Sequence, residues 1–396
     1  MSEVIPYGKQ NITKEDINEV VLALKSDFLT QGPRIDEFEK TFANYIGCKY
    51  AVAVSSGTAA LHLSALALGV SSGQKVITSP ITFAASANCI QYCGGEVVFS
   101  DIEPDTYLID LDYVRKLLLE YPQGTFSGIV PVDFAGRAVD MESLREIANE
   151  FGMWIIEDAC HAPGGFFIDS HQSVQNCGNG SFADLAIFSF HPVKHIASGE
   201  GGMITTNDES LYNTLMKLRT HGINRDTKSF INSSSFASGV EDEVKYPAWY
   251  MEMQDLGYNY RLTDIQAALG KSQLKRANEG LLRRREIASK YYNAFKDRSF
   301  IKGQSGMVEG HAYHLYVIEV DDRLGLYNYL RGKHIFAQVH YIPCHLMPYY
   351  RSLGWNEGDL ENAESYYKRC LSIPMYPTLS DQEIQYVIDS INQFYG

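Results

Sequence analysis

The chain has 396 residues, of which 45% are apolar and 21% charged, and a formal net charge of −14. That length calls for roughly two to three compact units of ~150 residues each, and the composition is that of a soluble protein with a real core. The acidic balance, with no Lys/Arg run longer than Arg283-Arg284-Arg285, excludes the basic face of a nucleic-acid binder but not a small anion held by a few local donors.

The opening stretch, MSEVIPYGKQ, has neither a charged n-region nor an apolar h-region, so no signal peptide is expected. The longest apolar runs fall short of the ~20 residues that a bilayer requires; a cytoplasmic location and no membrane partner are expected. In chain order, KYAVAVSSG reads as a strand running into the amphipathic helix TAALHLSALALG, which Gly69 ends. KVITSP is the next strand, followed by the helix ITFAASANCIQYCGG. EVVFSDI is a strand and 111–120 a helix; FSGIVPVDF and MWIIEDA are strands flanking the helix MESLREIANEFG; DLAIFSF and GGMITTN are two more strands. Seven strands alternating with helices predict a mostly parallel sheet covered on both faces, an α/β fold.

Residues 225–247, Ser-rich and without apolar periodicity, read as a surface loop insertion. From about residue 262 the chain turns helical. The strand-like runs AYHLYVIEV and AQVHYIP then alternate with helical ones, predicting a smaller α+β domain. The expected division is 1–262 for the large domain and 263–396 for the small one, with the amino-terminal segment packing against the latter. Seven scattered cysteines suit reduced thiols. Cys89 and Cys93 have no second pair and no HExxH occurs, so no metal is expected.

Ligands of α/β sheets sit outside the carboxyl ends of the strands, and several residues with chemical potential fall there. Ser56, Gly57 and Thr58 stand where a strand turns into a helix, suiting a phosphate; an ordinary N-cap is the plainer alternative. Asp158 ends a buried strand and requires a partner. Period-2 geometry puts Cys160 on the same side, and His161 follows. Phe83, judged on sequence alone, reads as a core residue. Asn259 reads as a turn former. Ser189 and Lys194 follow another strand and precede a Gly cluster, where a solvated surface lysine competes with an amine held against an electrophile.

Together the stretches LTQGP, SSGTAAL, ITFAASAN, EDACHAPGG, SFHPVK…GEGG, LGYNYRLTDIQAALG and HYIP make the chain resemble the DegT-type nucleotide-sugar aminotransferases, pyridoxal 5′-phosphate (PLP) enzymes of fold type I, over nearly its whole length. The resemblance implies a large domain with a mostly parallel seven-stranded sheet and a smaller C-terminal α+β domain. It makes Lys194 the lysine bonded to the cofactor aldehyde and the shuttle of the substrate proton. That double role requires an amine with a lowered pKa. Asp158 would pair with the pyridine nitrogen, Phe83 would stack on one ring face and Cys160 on the other, and His161 would sit near the ring's phenolate oxygen. The phosphate would fall to Ser56, Gly57, Thr58 and Ser189, with Asn259 reaching it from the neighbouring subunit, which implies a homodimer with shared active sites. Tyr7, Leu29, Thr30, His340 and Tyr341 resemble the sugar-binding segments.

L-glutamate is the implied donor, leaving 2-oxoglutarate, and a nucleotide-linked keto-sugar is the acceptor. Within the family, FSFHPVKHIASGEGG and VHYIPC look most like enzymes aminating C4 of a UDP-linked 4-keto-6-deoxy-N-acetyl-hexosamine on the pseudaminic acid route, with an L-altrosamine product. Two features depart from the pattern: the inserts at 169–180 and 225–247, and His195 after Lys194 where Pro is common. The alternatives are an aminotransferase for another keto-sugar, a dehydratase of the same fold, which would carry His at position 194, and a catalytically idle cofactor-binding regulator.

Overall fold

The computed structural model describes residues 4–304 and 306–396. Each of the seven expected strands forms: β1 (Tyr50–Val54), β2 (Lys75–Thr78), β3 (Glu96–Phe99), β4 (Phe126–Val130) and β5 (Trp154–Asp158), then, after a small hairpin of β6 (Phe166–Ile168) and β7 (Val174–Asn176), β8 (Leu185–Ser189) and β9 (Gly202–Thr206). Their order is β1-β9-β8-β5-β4-β2-β3. Only β9 runs antiparallel to its neighbours. Near-continuous apolar runs such as Ala51–Val54 and Ile155–Ile156 are buried, because helices cover both faces of such a sheet.

The helices between strands begin and end where local chemistry dictates. Helix α1 (Lys14–Leu24) opens with a capping box from Thr13 to Asp16, and α2 (Pro33–Ile46) has Pro at its start and left-handed Gly47 at its end. Ser56 caps α3 (Gly57–Ala67) by accepting from the Ala59 amide. The expected helices also appear as α4 (Ala85–Tyr92), α5 (Leu111–Glu120) and α6 (Met141–Phe151), and α7 (Glu209–Leu218) follows β9.

The segment read as a loop insertion is more ordered than its composition suggested. It is bracketed by the two-residue strands β10 (Ile223–Asn224) and β11 (Glu252–Met253), and it contains the short helix α8 (Ser234–Ser238). The Glu252 carboxylate gathers the Ile231 and Asn232 amides, an anchor without sequence periodicity. The insert at 169–180 contains the turn and second strand of the β6–β7 hairpin, held by Asp169, which accepts from the His171 and Ser173 amides.

Beyond residue 262 come α9 (Asp264–Leu274) and α10 (Ala277–Phe295). A three-stranded antiparallel sheet follows, of β12 (Lys302–Gly303), β13 (Tyr316–Glu319) and β14 (Cys370–Ile373). Ile287, Tyr291, Ile318, Leu371 and Ile391 form its core, and Ile5 packs in the same cluster, bridged in parallel to Ile335. The expected strand in AQVHYIP does not form; Gln338 makes one isolated bridge to Ser372. The reason lies next to it. His340 and Tyr341 both line one cavity, whereas consecutive strand residues point to opposite faces.

Candidate active site

At the carboxyl ends of β1, β5 and β8 lies a cavity of about 570 Å³. Lys194, Asp158, Phe83, Ser56, Gly57, Thr58, Ser189, Cys160, His161, Tyr7, His340 and Tyr341 all line it. The chain therefore brings together twelve residues that sequence reading drew from six separate stretches.

Asp158, the last residue of β5, is 5% exposed. Its Oδ2 accepts from the Ser86 hydroxyl at 2.6 Å, and its Oδ1 accepts from the Cys160 amide at 3.1 Å. Cys160 reaches the cavity from the turn after β5 rather than as part of the strand, so the period-2 argument gave the right wall for the wrong reason. Lys194, in the turn after β8, is partly exposed, and burial lowers its pKa below the ordinary lysine value. An amine so placed is more readily deprotonated, which a nucleophile requires.

Phe83 is corrected by the structure: it is 63% exposed on the cavity wall, not a core residue. An apolar ring left open beside buried polar groups suits a planar partner. The Ser56 cap satisfies the Ala59 amide at 3.1 Å, so the plain reading of Ser56 holds. Among the described residues no hydrogen bond takes up the amides of Gly57 and Thr58, in the first turn of α3, which leaves them available to an anion. Gly202 of β9 closes this corner: a Cβ there would stand 2.5 Å from the Ser56 carbonyl oxygen and 2.9 Å from the Gly57 nitrogen.

His161 is fixed in one tautomer. Its Nδ1 accepts from the Ala135 amide at 3.3 Å, so its Nε2 carries the proton and faces the Tyr341 hydroxyl at 3.3 Å. Burial, with Lys194 nearby, holds its pKa well below the usual value. His340 Nδ1 lies 2.9 Å from the Ser372 hydroxyl, and burial pushes its pKa down to about 3. Both rings are therefore neutral near pH 7, and burial drives the Tyr341 phenol upward.

Three expected site residues do not reach the cavity within one chain. Leu29 is exposed, Thr30 bridges Thr263, and Asn259 bridges Thr220. Sequence reading also missed residues that do line it, among them Ser86, His314 and Glu200. Ser86 could have been found: it follows Thr82 by one helical turn in a stretch already singled out, and the two hydroxyls lie 2.8 Å apart. His314 had no such signal, since its run read only as a strand.

Residues 10–392 match the DegT/DnrJ/EryC1/StrS aminotransferase family. The chain belongs to that family. It is 38% identical to the spore coat polysaccharide biosynthesis protein SpsC of Bacillus subtilis, over 98% of this chain and 96% of the relative. It is 35% identical, with the same coverage, to the UDP-4-amino-4,6-dideoxy-N-acetyl-beta-L-altrosamine transaminase of Campylobacter jejuni. Among solved structures, Helicobacter pylori PseC, an aminotransferase of pseudoaminic acid biosynthesis, superposes with a TM-score of 0.86 at 30% identity over 99% of both chains. The PMP form of the Streptococcus pneumoniae sugar aminotransferase Spr1654 gives 0.87 at 28% identity over 98% of both. The family supports the aminotransferase reading and the fold type I architecture of seven strands and helices. Among the described residues, no helix is long and apolar enough to cross a membrane.

Proposed function

We propose that the protein uses PLP to move an amino group from L-glutamate to the C4 keto group of a UDP-linked 4-keto-6-deoxy-N-acetyl-hexosamine, giving an L-altrosamine product. The observation that carries the reaction class is the pairing of Lys194 and Asp158 across one cavity that also holds the free amides of Gly57 and Thr58. The residues fit the cofactor: an uncovered Phe83 ring, a carboxylate held by two donors, and a helix start that Gly202 keeps open.

PLP, when bound, supplies a carbonyl that exchanges amines and a ring that takes up the electrons released at the substrate carbon. Lys194 would hold that carbonyl and, once displaced, carry the substrate proton on Nζ, for which its lowered pKa suits it. Asp158 would keep the ring nitrogen protonated, its charge fixed by Ser86 and the Cys160 amide. Phe83 and Cys160 would cover the two ring faces, and His161 would present Nε2–H beside Tyr341. Gly57, Thr58, Ser56 and Ser189 would hold the phosphate. Tyr7, His340 and Tyr341 form the wall proposed for the sugar; the ring centroids of Tyr7 and His340 lie 5.2 Å apart.

Leu29, Thr30 and Asn259, which leave their own cavity unserved, are proposed to complete the cavity of a second copy, so that the working unit is a homodimer. Exposed Phe28 and Leu29 supply apolar area for that contact. The sugar assignment rests on the resemblance to the Campylobacter transaminase and to PseC. Turnover of a panel of nucleotide-linked keto-sugars with glutamate tests it: amination at C4 of the UDP-linked substrate is expected to give the highest kcat/KM. A clear preference for another nucleotide or ring carbon would replace this reading with the broader keto-sugar one.

A further inference from the structure

A second cavity of about 220 Å³ lies beside the first, and Lys194 lines both. Its other walls include His195, Lys9, Arg276, Glu279, Arg283 and Arg284. The proposed reaction uses none of these others.

Arg284 is the unusual member. It is 2% exposed, yet among the described residues no carboxylate lies within ion-pairing distance of it. Its Nη1 donates to the carbonyl oxygens of Tyr313, His314 and Met375 at 3.0–3.2 Å, and its Nε is buried without a partner. Carbonyl dipoles do not neutralise a guanidinium, and a buried charge lacking a counter-ion is strongly unfavourable. Arg276 Nε is likewise buried and unpartnered, whereas His195 spends its ring N–H on the Pro163 carbonyl oxygen at 3.3 Å. The other cations divide. Arg276 is paired with Asp16, and Arg283 with Glu286 and Asp381, whereas Lys9 is exposed and has no ion pair among the described residues. Glu279 is the one carboxylate on the wall.

We infer that this cavity is a binding site for a compact dianion, a phosphate or a short dicarboxylate, held between Arg284 at its floor and Lys9 at its mouth. The anion supplies the charge that Arg284 lacks and accepts from the unpartnered donors. Inorganic phosphate and a dicarboxylate such as 2-oxoglutarate share the necessary chemistry, and the volume admits either.

The test uses the holoenzyme with the cofactor fixed to Lys194 by borohydride reduction, so that the phosphate cradle at Gly57 and Thr58 is filled. Inorganic phosphate and 2-oxoglutarate are titrated separately by calorimetry into this protein and into Lys9→Glu and Glu279→Gln forms. Both substitutions are at exposed positions, so folding is retained. Saturable uptake of at least one anion is expected, about tenfold weaker or worse in Lys9→Glu and stronger in Glu279→Gln, the scale of one charge-assisted contact. Whichever anion binds identifies the source. No saturable uptake of either, or affinities that neither substitution alters, would overturn the site.

Discussion

The Ser86 hydroxyl donates to Asp158 Oδ2 at 2.6 Å while Thr82 Oγ1 lies 2.8 Å from Ser86 Oγ, so a two-hydroxyl chain orients the carboxylate at the end of β5. Ser86 sits on α4 and Asp158 on β5, which makes the bond a tie between two elements as well as within the site. Ser86→Ala leaves Asp158 with the Cys160 amide alone. A hydrogen bond to a charged group contributes about 1.5–3 kcal/mol, and part of that should appear as a fall in kcat of roughly tenfold. KM for the sugar should change little, since Ser86 is not placed on the sugar wall. A KM effect with unchanged kcat would remove Ser86 from this role.

Lys194→Ala and Asp158→Asn should separate the two central roles. The first is expected to abolish the visible absorbance of the bound cofactor and both half-reactions together. The second removes the charge but keeps the shape, so cofactor should remain bound while glutamate turnover falls by several orders of magnitude, as loss of a charged partner in a water-poor site implies. Spectra before and after glutamate, followed by keto-sugar, report both. Surviving glutamate turnover in Lys194→Ala would show that another amine does the work.

Gly202→Ala tests the anion corner without touching a polar side chain. The added methyl would meet the Ser56 carbonyl oxygen at 2.5 Å and the Gly57 nitrogen at 2.9 Å, and those are backbone atoms that cannot swing away. Overpacking of this kind destabilises by about 1–3 kcal/mol. Cofactor dissociation should accelerate and Tm should fall, both measurable by dialysis and thermal melts. Unchanged cofactor retention would mean that the start of α3 does not hold the phosphate.

Asn259→Ala carries the shared-site proposal. Asn259 bridges Thr220 in its own chain and does not line its own cavity, so a loss of cofactor affinity on substitution would have to act across a subunit boundary. Weaker cofactor retention, with an oligomer that remains a dimer by light scattering, is the expected pair of results. A fully active monomer would end the cross-subunit role.

Periodicity and turn chemistry made the sheet legible. Runs such as Ala51–Val54 and Ile155–Ile156 are apolar because both faces of the sheet are covered, and Gly47 and Gly152 mark helix ends in left-handed backbone. The cavity was legible in part. Asp158, Lys194 and the start of α3 sit at strand ends, where the fold places ligands. Phe83 misled when read alone, because exposure for the sake of a partner is invisible in a residue type that is usually core. His340 and Tyr341 misled as part of the strand-like run AQVHYIP, because only tertiary packing turns both side chains toward one wall. The pairing of Arg284 with carbonyls alone was illegible, since RRR reads as surface charge and burial is decided by tertiary packing.

A final test concerns charge behind the sheet. Asp133, Glu157 and Cys177 are buried, with one ligand-type atom from each lying within 4.8 Å of the others. Asp133 Oδ1 accepts from the Val139 amide and Glu157 Oε1 from the Gly178 amide, both well made. Burial pushes the Asp133 pKa up to about 7, and burial together with Asp133 pushes Glu157 well above its ordinary value. A carboxyl whose folded pKa is raised contributes stability that is fully present below its unfolded pKa and lost as pH rises through the folded one. Stability should therefore decline from the unfolded carboxylate range, about pH 4, upward through neutral pH, Asp133's share being spent above about pH 7 and Glu157's extending higher, as the pair is forced to give up its protons. Glu157→Gln keeps an oxygen for Gly178 and offers an amide to Asp133, so the decline with rising pH should shrink. Urea midpoints at about pH 6 and about pH 9 for both proteins measure this. Equal declines in the two would show that the carboxyl pair is not what titrates.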